Sequence, residues 1–492
     1  MERLLKGRYI ILILILGLIL RLVSINQSLW LDEAIGALVV KEQSYTQIAT
    51  TFPLSDNHPP LYYLTLKAWA DIFGYSELSL RFPSIIFGLG TVLLVYLIGK
   101  KIMPGKKGRF PEIAALLLAT SQFHIYYSQE ARMYVMAGFF ASLAVFSFLF
   151  LSQKSGKKTV SPLWWALFSL SLAAIIFTDY VPIFLLPIFW VWTLYKKPNG
   201  KWWVNFVLAH LPLVLLGIFW LPTLIHQAER GRWLLSTLPA WREVAGGASF
   251  KQAALVWMKF SLGRITFANK VFYYSLVILG SIPFAIAGVA AWVKRKRIEI
   301  FWMWLLVPLI LGFTTSFIFP VFIYFRFTYV IPAFFLIIAW GVFQAKTQNL
   351  RMFLIVSLIA VNLVGWLIYV IDKNQQREHW RQAVDFVELI GKEDEIVIFE
   401  FPEPFAPYRW YAKGKVEAVG VTDSISANEK ETKQKTIEKV SDKNGVYYFE
   451  YLRDLSDPNQ YVQRALADLD FKVSGVYDFF PGIGQITYFV RP

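Results

Sequence analysis

Apolar stretches long enough to cross a lipid bilayer recur along this chain. They lie near residues 9–25, 80–99, 112–127, 133–151, 163–179, 181–195, 203–224, 271–293, 299–319, 328–344 and 352–371. No other feature restricts the fold as much. Hydrocarbon offers no water to backbone N–H and C=O groups, so only helices and closed barrels span it. Runs of this length without period-two alternation read as helices. The expected fold is a polytopic α-helical membrane protein of about eleven spans over residues 1–371, followed by a small soluble α/β domain over 372–492. Composition agrees: 56% of the residues are hydrophobic and 17% are charged, against about 25% charged in soluble domains.

Cysteine is absent, which removes disulfide frameworks, thiolate metal sites and cysteine nucleophiles. The net charge of +15 is not the footprint of a nucleic-acid binder. Residues 1–371 hold 33 Lys+Arg and 13 Asp+Glu, whereas 372–492 hold 16 and 21. The basic excess sits in the membrane part, on alternate loops. It comprises Arg3, Lys6 and Arg8; Lys100, Lys101, Lys106, Lys107 and Arg109; Lys154, Lys157 and Lys158; Lys196, Lys197 and Lys201; Lys294–Arg297; and Lys346 with Arg351. The positive-inside rule makes that side cytoplasmic. The opposite side receives Asp32, Glu33, Asp56, Glu130, Asp179, Glu229 and Arg326. With the N-terminus inside and eleven spans, the tail lies outside, as suits a cell-membrane (inner-membrane) protein. The first run has the basic start of a signal peptide, but no small-residue cleavage site follows at 22–26, so it reads as an uncleaved span.

Two outer loops are long, 26–79 and 225–270. The first holds an amphipathic stretch at Ala34–Val39 and an apolar piece, Leu61–Phe73, too short to cross a membrane and suited to its interface. The second carries Trp233, Trp241 and Trp257 among basic residues, again an interfacial pattern. In the tail, Trp380–Ile390 and "QYVQRALADL" have helical periodicity, while "EIVIFEF", "GVYYFEY", "FKVSGVYDF" and "QITYFV" read as strands. "SANEKETKQKTIEK" is a charged loop or an exposed helix.

The polar residues on the acidic side are the candidates for chemistry. In "SLWLDEA", Asp32 and Glu33 follow directly on the first span. Neighbours on a helix diverge by about 100°, so one would react while the other caps, pairs or orients. The bland reading is an N-terminal cap and a first-turn acid. In "SDNHPPLYY", two prolines fix the entry to a short helix, with His58 before them and Tyr62 after them; the imidazole suits a phosphate or a metal, or merely a turn. "IYYSQEARMY" places Gln129, Glu130, Arg132 and Tyr134 between two apolar runs. Arginine is a natural phosphate ligand, though an Arg132–Glu130 pair closing a loop is an equal reading. "IYFRFTYV" sets Arg326 beside Tyr324 in an apolar context, a ligand candidate by default. Asp179 either joins them or breaks the helix. Asp468-x-Asp470 resembles a metal-binding DxD, but lies at a helix end with no nucleotide-binding loop and is read as chance.

Outside the cytoplasm no nucleotide-activated donor is at hand, so an activated compound must arrive through the membrane. A sugar linked to a polyprenyl phosphate meets that need. Arg132, Arg326 and His58 would hold the leaving phosphate, and a carboxylate would take the proton of an acceptor hydroxyl. A transporter or flippase is the alternative, but the spans have few ionisable groups at their centres and no internal symmetry.

"LWLDEA", "HPPLYYLTLKAWADIFG", "LSLRFPSIIFG" and "YYSQEARMY" resemble the polytopic lipid-phosphosugar transferases of the GT-C fold, in the branch of the protein O-mannosyltransferases and lipid A aminoarabinose transferases. The resemblance spans roughly residues 1–345. It implies that Asp32 is the catalytic base and that Arg326 faces the lipid phosphate. It implies a glycan, lipid or protein acceptor, with Tyr62, Gln129, Glu130, Tyr134, Asp179 and Tyr324 on the substrates. The aminoarabinose branch has Glu-Lys before its Pro-Pro, where this chain has Asn57-His58. A divalent metal therefore stays open, and no other cofactor is implied.

Overall fold

The structure, a computed structural model, describes residues 8–103, 109–152, 161–198, 200–239 and 241–492. Arg3, Lys6, Lys106, Lys107, Lys154, Lys157 and Lys158, all part of the charge pattern above, lie outside the described residues. The chain divides into two compact units. One comprises residues up to Ile25, Ser44–Ala228 and Ala245–Ile371; the other comprises Asn26–Gln43, Glu229–Val244 and Asp372–Pro492.

The first unit is helical. Six described helices have the length and composition to cross a membrane: Glu77–Ile102, Tyr134–Ser152, Gly200–Thr237, Lys270–Val293, Tyr324–Phe343 and Gln348–Ile371. Four further apolar helices are shorter, namely Phe110–Thr120, Pro162–Thr178, Val181–Lys196 and Glu299–Thr315. The sequence expectation of eleven spans thus meets six of full length. The local reasons are visible. The run 112–127 breaks at Ser121, whose ψ of 117° leaves the helical region; its hydroxyl then caps the next helix, Gln122–Ser128, at the His124 N–H. The run after residue 162 stops at Asp179, which is extended (φ −155°, ψ 144°), and a 3₁₀ turn, Val181–Leu185, opens the next helix. The short helix Leu61–Phe73 has the bounds the apolar pattern gave it.

The first unit has a basic end and an acidic end. At the basic end Arg109 lies over the Tyr9 ring, Lys101 over Phe150, and Phe110 meets Trp340 edge-on. The Trp340 indole donates to the Lys294 carbonyl, and Trp202 donates to Leu151. One span away, at the other end, lie Asp56, His58, Glu130, Arg132, Asp179 and Arg326. Between the ends, helices approach closely through small residues, as lipid-embedded helices do. A β-carbon built on Gly341 would lie 1.8 Å from the Ala287 carbonyl oxygen.

The second unit contains a five-stranded sheet in the order β2-β1-β3-β5-β4. β1 (Glu395–Phe399) is parallel to β2 (Glu417–Gly420) and β3 (Gly445–Phe449); β5 (Ile486–Val490) is antiparallel to β3 and to β4 (Lys472–Tyr477). Every residue of β1 and β3 is buried, because helices cover both faces. Val397, Phe399, Tyr447 and Phe449 face Trp380, Val384 and Val387, with the Trp380 ring stacked 5.9 Å from Phe449. Ile396, Ile398, Val446 and Tyr448 face Val440, Val462 and Leu466 on the other side. The charged stretch is a helix, Glu429–Val440, capped by Asn428. Asp468 pairs with Lys433 at 3.5 Å, and Asp470 turns the chain with φ +62°.

Gly341→Val forces two packed backbones apart and should cost about 1–3 kcal/mol. Gly217→Val, at a position with no atom within 4 Å, serves as the control. Thermal unfolding in detergent should show a lowered midpoint for the first variant and an unchanged one for the second.

Candidate active site

At the acidic end of the first unit, the turn before Leu61–Phe73 brings polar side chains into one hydrogen-bonded chain. Arg132 Nη1 donates to the Tyr63 hydroxyl at 3.0 Å, and that hydroxyl donates to Asp56 Oδ2 at 3.1 Å. His58 Nδ1 lies 3.0 and 3.1 Å from the two Asp56 oxygens. An ionised carboxylate only accepts, so Nδ1 carries the proton of this contact. The backbone of the turn is pinned from another helix. Gln227 Nε2 donates to the carbonyls of Pro53 and Asp56, both at 2.9 Å. Gln227 is itself held by the Tyr180 hydroxyl at 2.6 Å, which accepts from the Trp220 indole at 2.7 Å. Pro59 and Pro60 then start the helix that carries Tyr62 and Tyr63, whose rings meet edge-on at 5.6 Å.

The electrostatics tie in two more elements. Asp56 is desolvated, which alone would raise its carboxyl, but the His58 and Arg132 charges and the Asn57 N–H outweigh that and hold it down at about 2. Asp179, in the connection between two helices, is pushed up by burial. The charges of His58, Arg326 and Arg132 oppose the shift, together with the Val181 N–H, which donates to it at 3.1 Å. His58, Arg132 and Arg326 therefore all act on one buried carboxylate. Arg326 is half-buried, and its Nη1 reaches the Pro320 carbonyl at 3.4 Å. Tyr134 and Tyr324 flank this region through Phe325, with ring centroids 5.2 and 5.6 Å from it.

Other candidate residues are placed differently. Gln129 gives its amide protons to the carbonyls of Arg21 and Val23, at 2.8 and 2.6 Å, and so ties down the end of the first helix. Glu130 is buried, with its carbonyl accepting from Ser84 at 2.6 Å. Asp32 and Glu33 belong to the second unit, in the first turn of the helix Leu31–Glu42. Glu33 is fully buried, 3.3 Å from the equally buried Arg377. Around that pair the chain is clamped. The Ser28 hydroxyl donates to the Glu378 carbonyl, the Leu29 N–H to the Tyr411 hydroxyl, and the Arg377 N–H to Gln27. Glu378 also accepts from Trp380 and Tyr451; burial raises its carboxyl, and the nearby Asp32 charge adds to the rise. Glu33 is thus held in an ion pair, and Asp32 beside it is half-buried.

Sequence reasoning passed over Asp56, Tyr63, Gln227 and Lys259. The first two stand within the quoted "SDNHPPLYY", where the Asp-x-His spacing was the available signal. Lys259 lies on the amphipathic helix Phe250–Leu262, buried, with its ammonium on the Ile265 carbonyl at 2.7 Å. Burial and Lys270 lower it to about 8. A lysine amid Val256, Phe260 and Leu262 was its only signal. Among the described residues no three His, Asp or Glu side chains gather as a metal ligand set.

Ionised Asp56 stabilises the fold above the ordinary carboxylate value of about 4, and that contribution is lost as pH falls through its depressed folded value. Asp56→Asn should therefore unfold at a lower temperature than wild type at pH 7. The gap should close between about pH 4 and pH 2, read by thermal unfolding across that range. In the second unit, Arg377→Leu strands a buried carboxylate and should cost about 3–5 kcal/mol, whereas Glu33→Leu with Arg377→Leu should recover most of the loss. A double-mutant cycle of unfolding free energies checks it.

Residues 57–226 match the family described as dolichyl-phosphate-mannose-protein mannosyltransferase. No curated protein sequence matches the chain. Among solved structures, ArnT from Cupriavidus metallidurans is similar over 98% of this chain and 97% of its own, with a TM-score of 0.57 and 12% identity. Its complex with undecaprenyl phosphate matches with the same TM-score at 11% identity. The archaeal oligosaccharyltransferase AglB from Archaeoglobus fulgidus, in complex with an inhibitory peptide and a dolichol-phosphate, matches over 98% of this chain and 74% of its own, with a TM-score of 0.51 and 13% identity. This chain has the GT-C fold, and it resembles the branch that holds the O-mannosyltransferases and ArnT.

Proposed function

We propose that this chain is a membrane glycosyltransferase that moves a hexose or pentose from a polyprenyl-phosphate donor to an acceptor hydroxyl on the outer face of the cell membrane. The observation that carries this reading is the Arg132–Tyr63–Asp56–His58 hydrogen-bonded chain at the acidic end of the bundle, with Asp179 and Arg326 electrostatically coupled to it. Guanidinium groups are suited to a phosphodiester because their fork donates several hydrogen bonds at once, and two arginines stand at this end of the bundle. The likeness to a fold that binds undecaprenyl phosphate in ArnT and dolichol-phosphate in AglB supports a lipid-linked donor.

The reaction on this reading is a single inverting displacement. The acceptor oxygen bonds to the anomeric carbon as the bond from that carbon to the phosphate oxygen breaks. The bonding pair leaves on the phosphate, where the cations stabilise it. The acceptor proton passes to Asp32 as general base. Phosphate is a good leaving group, so no second carboxyl acid is needed, unlike glycoside hydrolysis. The basic end lies in the cytoplasm, with the N-terminus, and the residues after Ile371 lie outside.

Purified protein in lipid nanodiscs, supplied with a polyprenyl-phosphate sugar carrying a labelled sugar, tests the proposal. Wild type should release or transfer the sugar. Asp32→Asn should lower kcat roughly 10²–10⁴-fold with donor binding retained. Arg132→Gln should instead weaken donor binding. A normally inserted Asp32→Asn protein with wild-type turnover would remove Asp32 as base, and a wild type that releases no sugar from any polyprenyl phosphate would remove the transferase reading. A chelator titration in the same assay settles the metal question.

A further inference from the structure

At the basic end of the first unit lies a cavity of about 1160 Å³. It opens between the helix Arg8–Leu22, the start of Phe110–Thr120, and the junction of Ile331–Phe343 with Gln348–Ile371. It stands a full span from Arg132. The helices Phe110–Thr120 and Gln122–Ser128 together run from one to the other, and neither the phosphate site nor the proposed chemistry uses it.

Its walls are of two kinds. The depth is apolar, formed by Ile13, Leu16, Ile113, Leu116 and Ile355. Leu12 and Met352 are largely exposed at its mouth, so the opening faces the surroundings of the bundle, which at this depth are lipid. The rim is polar: Arg109, Arg351, Gln348 and Glu112. Arg109 is exposed and leans on the Tyr9 ring at 4.8 Å. Arg351 gives Nη2 to the Phe343 and Ala345 carbonyls, at 3.2 and 3.4 Å, while its buried Nε–H has no acceptor among the described residues.

We propose that this groove binds one anionic glycerophospholipid from the leaflet at the basic end, with its phosphate on Arg109 and Arg351 and an acyl chain along Leu12, Leu16 and Ile355. Three observations select that occupant. First, Tyr9 to Leu16 and Gln348 to Ile355 each rise about 10 Å along their helices, which fits inside a leaflet half of a hydrocarbon core about 30 Å thick. Second, among the described lining residues two guanidiniums less the Glu112 carboxylate leave one positive charge. One phosphodiester neutralises it, whereas a zwitterionic headgroup would not. Third, basic pockets between spans on the positive side of a membrane are where anionic headgroups are held. The lipid would bridge three helices already cross-tied deeper in the bundle, where Trp366 donates to the Leu20 carbonyl and Asn362 to Leu117.

The test uses full-length protein in detergent and reads lipid retention by native mass spectrometry together with the thermal midpoint. The probes are phosphatidylglycerol, phosphatidylcholine, phosphatidylethanolamine and undecaprenyl phosphate. The expected result is one phosphatidylglycerol retained at least tenfold more tightly than either zwitterionic lipid, with a raised midpoint. Arg109→Gln, which removes an exposed side chain, should reduce that preference about tenfold. Ile355→Trp, which fills the groove, should abolish both retention and the shift while the lipid-free protein stays folded. Equal retention of all three phospholipids would overturn the proposal. So would undiminished phosphatidylglycerol binding in Ile355→Trp, or a groove-dependent preference for undecaprenyl phosphate. None of these readouts depends on transferase activity.

Discussion

A charge at the end of an apolar bundle must find its opposite close by, and the contact that meets this need is the Arg132–Tyr63–Asp56–His58 chain. Removing any member would leave a desolvated donor or acceptor, at a cost larger than a single surface ion pair contributes. The chain also fixes geometry. Asp56 fixes the imidazole by its Nδ1, Tyr63 links the short helix to Arg132, and Gln227 holds the turn from a different helix. Three of the four members, Asp56, His58 and Arg132, stand in connections between helices, so the hydrogen bonds to Tyr63 and from Gln227 are what tie them to helical elements.

The second unit solves a related problem. Residues 26–43 are bracketed in sequence by the first unit, yet they pack with the tail: Ser28, Leu29 and Glu33 are all bound to residues between Arg377 and Tyr411. A buried ion pair contributes little net stability, but it is intolerant of partial loss. Its effect here is on specificity of placement. With Glu33 locked to Arg377, the first turn of Leu31–Glu42 has a defined rotation, and so Asp32 does too.

Much of this was legible in the sequence, and the failures have physical causes. The strands "EIVIF" and "GVYYF" were readable because continuous apolar runs mark strands buried on both faces. β2 was missed, since "EAVG" is a four-residue edge strand with no pattern long enough to read. The breaks at Ser121 and Asp179 were not legible, because hydropathy stays high there and window averages do not register a single ψ angle. His58, Arg132 and Arg326 stood out because a cation in apolar surroundings is conspicuous. Asp56 did not, because an aspartate beside an asparagine and two prolines looks like any turn. The Glu33–Arg377 pair joins residues more than three hundred positions apart, and no local pattern encodes it.

Asp56 binds His58 directly and Arg132 through the Tyr63 hydroxyl. Burial pushes the Asp179 carboxyl up, and the charges of His58, Arg326 and Arg132 oppose the shift without cancelling it. Two arginines and a histidine stand with the carboxylates of Asp56, Glu130 and Asp179 in a low-dielectric setting, where an added anion interacts more strongly than it would in water. A leaving phosphate develops its negative charge only as the sugar departs. On the transferase reading proposed above, a preformed cluster of this kind favours the transition state over the bound donor, which is the condition for catalysis rather than mere binding.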